Sequence, residues 1–201
     1  MLSSKLEFFD RVDLDFKTVH GHALKTTPDY RLLPEANGAE VLDDIEDFWR
    51  WLHDTLPTLT TTWNASPDLT RLACTGQSAG GYLAVQSALL FPELSQIKVL
   101  ASMGGSLHTD IPDCRIPGPR VILGRKPPPP GKAESIVRTY LRNIKPQTVR
   151  TSGNVVDMWE FLTCVLQQAY LARWFGAMGK EELDVMKMLG RANAMPPSKY
   201  T

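Results

Sequence analysis

The sequence predicts an α/β fold with a short parallel sheet, on three observations. Strand-like and helix-like segments alternate from Gly21 to Met103. The pentapeptide Gly76-Gln77-Ser78-Ala79-Gly80 falls where a strand pattern gives way to a helix pattern. Proline-rich and then purely helical sequence follows Gly105. In order, Gly21 to Pro28 reads as a short strand, more polar at Lys25, Thr26 and Thr27 than a buried parallel strand usually is. Glu40 to Leu56 places Val41, Leu42, Ile45, Phe48, Trp49 and Leu52 at helical spacing. Asp43, Asp44, Glu46, Asp47 and Arg50 fall mostly on the other face, and the aromatics, Trp51 included, read as core and rim packing rather than a ligand box. Pro57 is expected to end this helix, and Thr58 to Asp68 to form a polar loop. Arg71 to Thr75 then reads as strand, Gly81 to Phe91 as helix and Ile97 to Met103 as strand. These give two βαβ units and a parallel sheet of about three strands.

Ile111 to Lys132 holds seven prolines, four of them consecutive at Pro127 to Pro130, which predicts neither helix nor central strand. The polyproline run reads as a stiff surface spacer. Farther on, Asn154 and Asp157 have the spacing of a capping box. Val155, Trp159, Leu162, Val165, Leu166 and Ala169 follow on one face, with Gly176 or Gly179 as the stop and a shorter helix over Glu181 to Leu189.

The chain has 201 residues, 43% apolar and 22% charged, enough for one globular domain. Its 22 basic residues balance its 22 acidic ones, so neither nucleic acid nor an anionic membrane is an expected partner. No apolar stretch approaches a membrane span, and the cytoplasm is the expected compartment. Cys74, Cys114 and Cys164 are widely spaced, so reduced thiols are expected and no metal site. Asn64-Ala65-Ser66 fits a glycosylation sequon but reads as loop.

A G-x-S-x-G pattern between strand and helix is the setting of a nucleophile elbow, a sharp turn that lifts a serine Oγ into the open. The flanking glycines are expected to remove Cβ atoms that would clash. Upstream stands Asp29-Tyr30-Arg31-Leu32-Leu33-Pro34-Glu35, then the acidic helix, then Gly76-Gln77-Ser78-Ala79-Gly80-Gly81. Together these resemble the hormone-sensitive-lipase-like esterase family. Its members carry a D-Y-R-[LA]-x-P-E segment and a G-[DE]-S-A-G-G elbow, and the run from Pro28 to Trp51 looks most like fungal members. Gln77 stands where the family usually has an acidic residue.

The resemblance implies a serine esterase of the α/β-hydrolase fold with Ser78 as nucleophile and the Ala79 N–H as one oxyanion donor. No cofactor is implied, since serine acyl transfer needs none. It also implies a helical cap after Gly105 that shapes a pocket, where Trp159, Trp174 and Phe175 either line the pocket or bury the cap. Residues 1–105 are thus expected to be a partial α/β-hydrolase core with the elbow, and 106–201 a proline-rich loop and cap-like helices.

The rest of the catalytic set is harder to find. In this fold the triad runs Ser, acid, His along the chain. Among His20, His22, His53 and His108 only His108 follows Ser78, and between them lies a single carboxylate, Glu93. Asp110 and Asp157 come after His108 and break that order. The family's His-Gly-Gly-Gly oxyanion motif is absent, and His20-Gly21-His22 stands in the wrong place for it. Relative to the family, the chain starts after the glycine-motif strand and stops, after Met195-Pro196-Pro197, before the strands that carry acid and base. Three readings follow: a truncated serine carboxylesterase acting on a small ester, an inactive pseudoenzyme that binds a partner through exposed sheet edges, or a rearranged hydrolase using Ser78 with His108.

Overall fold

Helix α1 (Gly38–Asp54) starts at a reciprocal cap. The Asn37 side-chain oxygen accepts from the N–H groups of Ala39 and Glu40 at 3.0 and 3.1 Å, and Glu40 Oε2 accepts from the Asn37 N–H at 2.8 Å. Both halves of a capping box are present, so Asn37→Ala should lower stability by about 1 kcal/mol, read as a drop in thermal midpoint. The computed structural model describes residues 23–62, 66–108, 115–118, 121, 124, 126, 128–154, 156–175 and 181–194. His20 to His22, Asn64, Ala65, Asp110, Cys114, Gly176, Gly179, Met195 to Pro197 and the Phe175 side chain lie outside what is described.

The described residues divide into two compact units. One contains Leu42–Gly105 with the chain up to Tyr30, and the other contains Arg31–Val41 and the chain from Ser106 onward. Helix α1 buries Val41, which belongs to the second unit, and Leu42, Ile45, Phe48, Trp49 and Leu52, which belong to the first, as the periodicity predicts. Asp44 differs from that reading, being buried rather than on the solvated face, while Trp51 is buried with its ring stacked on Phe48 at 6.1 Å, as packing of the aromatics predicts. Pro57 does not open a loop. It sits in the first turn of α2 (Leu56–Thr62), where a missing N–H costs nothing, and Thr60, Thr61 and Thr62 each return a hydroxyl hydrogen bond to the carbonyl three residues back.

Strand β1 (Leu72–Gln77), helix α3 (Ala79–Leu90), the short α4 (Pro92–Ser95) and strand β2 (Ile97–Met103) then form a right-sized βαβ unit. The strands pair in parallel, with Leu72 opposite Ile97, an irregularity before Ala73, and then Cys74 opposite Leu100 through Gln77 opposite Met103. The sheet described has two strands rather than about three. The expected first strand alternates in exposure over 23–28, yet those residues join no ladder. A strand is defined by its partner, and direct pairing of this polar segment with β1 does not occur. Val99, Leu100 and Met103 on β2 are exposed. Helix α3 is apolar around its circumference, and its polar residues are held internally. Gln86 Nε2 donates to the Tyr82 hydroxyl at 2.6 Å, and the Ser87 hydroxyl donates to the Leu83 carbonyl at 2.8 Å.

The second unit is helical: α5 (Pro130–Asn143), α6 (Trp159–Gln167), α7 (Tyr170–Phe175), a 3₁₀ turn at Glu181–Leu183 and α8 (Val185–Ala194). Pro130, the last of the polyproline run, opens α5 instead of excluding it, because proline's fixed φ suits the first helical position. Asn154 caps a turn before α6 rather than the helix itself, accepting from the Val156 N–H at 2.9 Å. The long helix read from the sequence breaks at Gln168 and Ala169, where Ala169 takes φ 56° without any glycine. Ala133, Val137, Phe161, Cys164 and Val165 form this unit's core, with Tyr140, Tyr170 and Trp174 packed on it, so Trp174 is a packing residue. Among the described residues no helix is long and apolar enough to cross a membrane.

Candidate active site

Strand β1 runs straight into the turn: Gln77 ends the strand, Ser78 is the turn and Ala79 begins α3. Ser78 has φ 54° and ψ −119°, a left-handed backbone that costs a residue with a Cβ on the order of 1–3 kcal/mol. Two hydrogen bonds hold it there. The Ser78 N–H donates to the Met103 carbonyl at 2.9 Å, extending the β1–β2 ladder by one rung, and the Tyr82 N–H donates to the Ser78 carbonyl at 3.1 Å. The Ser78 side chain does not cap the helix and the residue is exposed, so its hydroxyl stays available. The Ala79 N–H lies in the first turn of α3, where donors have no intrahelical acceptor. A serine hydroxyl beside a free helix N–H is the local arrangement that acyl transfer requires.

The glycines divide by role. A Cβ on Gly76 would stand 2.1 Å from the Gly80 carbonyl oxygen, so no side chain fits there. At Gly81 it would meet Ser102 Oγ at 2.8 Å and Gly105 Cα at 3.3 Å, because the chain leaving β2 crosses the start of α3 at backbone distance. Ser102 fixes that crossing by donating to the Gly81 carbonyl at 3.0 Å. Gly80 is different: its Cβ position is open, so steric exclusion does not explain this flanking glycine. Gln77 is exposed and paired with Met103. Burial pushes the thiols of Cys74 and Cys164 up, so neither supplies a thiolate to compete with a serine nucleophile.

His108 follows β2 in the second unit. Its Nδ1 donates to Asp184 Oδ2 at 2.8 Å; the Asp184 side chain is 1% exposed and that of His108 is 44% exposed. The other Asp184 oxygen accepts from the Lys187 N–H at 3.0 Å, capping α8, and the Met186 N–H donates to the Leu107 carbonyl at 3.3 Å. Burial would raise the Asp184 carboxyl, but the Lys187 N–H and the His108 ring outweigh it and hold the group below the usual carboxylate range. Sequence reasoning missed this partner because it considered Asp110 and Asp157, and Asp184 lies 76 positions from His108. The one available signal was an aspartate opening an apolar helical run, which reads as a helix cap and nothing more.

The Asp29-to-Glu35 segment splits between the units after Tyr30. Asp29 and Tyr30 are half-buried, and burial raises the Tyr30 phenol. From Arg31 on, the segment is tied to Arg150. The Leu32 N–H donates to the Arg150 carbonyl at 2.7 Å, and the Arg150 guanidinium donates to the Leu33 carbonyl next to the cis Leu33–Pro34 bond. Arg150 Nε also pairs with Glu35 Oε1 at 3.0 Å, and the Tyr140 hydroxyl donates to the same oxygen at 2.6 Å. Arg31 Nη2 donates to the Glu40 carbonyl at 2.7 Å, at the start of α1. A cavity of about 210 Å³ opens between Arg31, Glu35 and Glu40 on one side and Thr148 and Arg150 on the other. Arg31 and Glu35 thus tie this segment to the start of α1 and to Arg150.

Comparison with known proteins agrees with this geometry. Residues 19–114 match the α/β hydrolase fold family. The chain is 49% identical over 185 residues to probable carboxylesterase clz11 of Cochliobolus lunatus, covering 90% of this chain and 84% of that protein. It is 48% identical over 177 residues to probable carboxylesterase M8 of Phoma sp. (strain ATCC 20986 / MF5453), covering 87% of this chain and 55% of the relative. No solved structure matches the chain significantly.

Proposed function

This chain belongs to the α/β-hydrolase fold family and is carboxylesterase-like, and from that premise we propose that it is a serine hydrolase of small carboxylic esters with Ser78 as nucleophile. The observation that supports this best is the backbone at Ser78, held in a left-handed turn with its hydroxyl exposed and a helix N–H beside it. In the reaction the Ser78 O–H bond breaks as Oγ bonds to the ester carbonyl carbon, and a general base takes the proton. The Ala79 N–H stabilises the oxyanion. When the tetrahedral intermediate collapses, the proton passes to the departing alcohol, and water then releases the acid by the same steps. Both named relatives are probable carboxylesterases, so the proposed substrate class is a small ester, of the kind modified in metabolite tailoring.

The test is labelling of purified protein with a fluorophosphonate probe, with the modified residue found by mass spectrometry. Wild type should label at Ser78 and Ser78→Ala should not. Folded wild type that stays unlabelled would overturn the proposal. That outcome would favour the competing reading of an inactive binding protein, for which the exposed Val99, Leu100 and Met103 on β2 are the motivating feature.

A further inference from the structure

Resting on the reading of Ser78 as nucleophile, we propose that Ser102 is a positioning residue for the reaction. Its hydroxyl ties the first turn of α3 to β2 and so holds the Ala79 N–H where the oxyanion develops. Two consecutive residues of β2 grip the nucleophile turn at its two ends. The Met103 carbonyl accepts from the Ser78 N–H at 2.9 Å, and the Ser102 hydroxyl donates to the Gly81 carbonyl at 3.0 Å. Ser78, Ala79, Gly80 and Gly81 carry the nucleophilic oxygen and the oxyanion donor, and they are spanned by one dipeptide of a paired strand. The remaining hydrogen bond of the turn, from the Tyr82 N–H to the Ser78 carbonyl at 3.1 Å, closes the turn on itself and does not anchor it to the sheet.

Between those two anchors the backbone has reason to move. Ser78 stands at φ 54°, a conformation that a residue with a Cβ leaves when it is allowed to. At Gly80 no atom beyond its own helix lies within 4 Å of the Cβ position, so packing does not hold that residue, and glycine leaves its backbone permissive. The Ser102 hydroxyl, by contrast, is closely seated. A Cβ on Gly105 would stand 2.9 Å from Ser102 Oγ and 2.8 Å from the Tyr82 nitrogen, and Gly104, at φ 61°, turns the chain back into that approach. Ser102 Oγ therefore sits between the backbones of Gly81 and Gly105, all within the first unit. The residue as a whole is exposed, so truncating it opens no buried cavity and strands no charge. Its loss falls on the geometry of the turn, and an oxyanion donor is effective only when aimed at the place the charge will occupy.

The test is Ser102→Ala, assayed on p-nitrophenyl butyrate with the thermal midpoint measured alongside. The value of kcat should fall about tenfold with KM unchanged, because the missing tie acts on the transition state and not on the bound ester. Affinity for an aryl trifluoromethyl ketone, whose adduct on serine carries an oxyanion, should weaken by a similar factor. The thermal midpoint should stay at the wild-type value. A wild-type kcat in Ser102→Ala would overturn the assignment, since the turn would then keep its geometry without the hydroxyl. A fall in kcat accompanied by a lower midpoint would overturn it too, since Ser102 would then only hold the fold. Both outcomes leave Ser78 as the nucleophile, which is read separately from fluorophosphonate labelling of the wild type. Folded wild type that fails to label overturns the nucleophile and this assignment together.

Discussion

Gly76→Ala should lower stability by about 3 kcal/mol or more, at the upper end of what overpacking does. The added methyl would lie 2.1 Å from the Gly80 oxygen, 2.2 Å from the Gly80 carbonyl carbon and 2.7 Å from the Gly81 nitrogen. All three are backbone atoms of the first turn of α3, so relief cannot come from a side chain changing rotamer. Either β1 shifts in its ladder with β2, or the first turn of α3 opens and Ser78 loses its geometry. Both routes predict a lower urea midpoint, and a lower rate of fluorophosphonate labelling in whatever fraction still folds. Gly80→Ala is the matched control. Its methyl enters open space and its backbone does not need φ > 0, so it should be neutral or stabilising by roughly 0.5–1 kcal/mol, as glycine-to-alanine changes in helices are. If the two variants were equally stable, close backbone packing would not be what requires glycine at this turn.

That contrast marks how far the sequence could be read. A G-x-S-x-G pattern between a strand and a helix located the turn because it depends on neighbours in the chain, and β2 was legible for the same reason over Ile97–Met103. What the pattern could not tell was which glycine is sterically obliged, since that depends on Gly80 and Ser102 coming back against the turn in space. Proline misled twice in the same way. Pro57 and Pro130 read as breakers, but each sits in the first turn of a helix, where proline is tolerated. Asp44 was placed on the wet face by periodicity, which reports average orientation and says nothing about what covers a given position. Asp184 beside His108 and Arg150 beside Glu35 were illegible for a more basic reason. Each pair is joined only by the path of the chain between them, and no spacing rule spans 76 or 115 positions.

Arg150→Met should then be the most damaging single change in the second unit, at about 2–3 kcal/mol, and its size should depend on pH. The Glu35 side chain is 4% exposed, and one of its oxygens pairs with Arg150 at 3.0 Å and accepts from the Tyr140 hydroxyl at 2.6 Å. Removing the guanidinium strands a buried charge, a change that costs about 3–5 kcal/mol in fully enclosed pairs. Arg150 is 23% exposed, and screening by water places the expectation at or below the low end of that range. Burial would raise Glu35, but the hydrogen bonds from Arg150 and Tyr140 outweigh it and hold the carboxyl low. The unfolded chain therefore binds the proton more readily. In wild type the stabilisation from this pair is fully present above the unfolded glutamate value of about 4.3, and is lost as pH falls through the lower folded value. In Arg150→Met the depressing partner is gone, so acid should relieve the stranded charge and the gap to wild type should narrow below about pH 4. Glu35→Gln removes the charge but leaves an acceptor for Tyr140 and a guanidinium that reaches water, so about 1 kcal/mol is expected. The double variant should be more stable than Arg150→Met alone, because no charge is left without a partner. Urea midpoints for the four proteins between pH 3.5 and 7.5 test the set. A cost for Arg150→Met within 0.5 kcal/mol, the range of an ordinary surface substitution, would mean that the Glu35 carboxylate is satisfied without it.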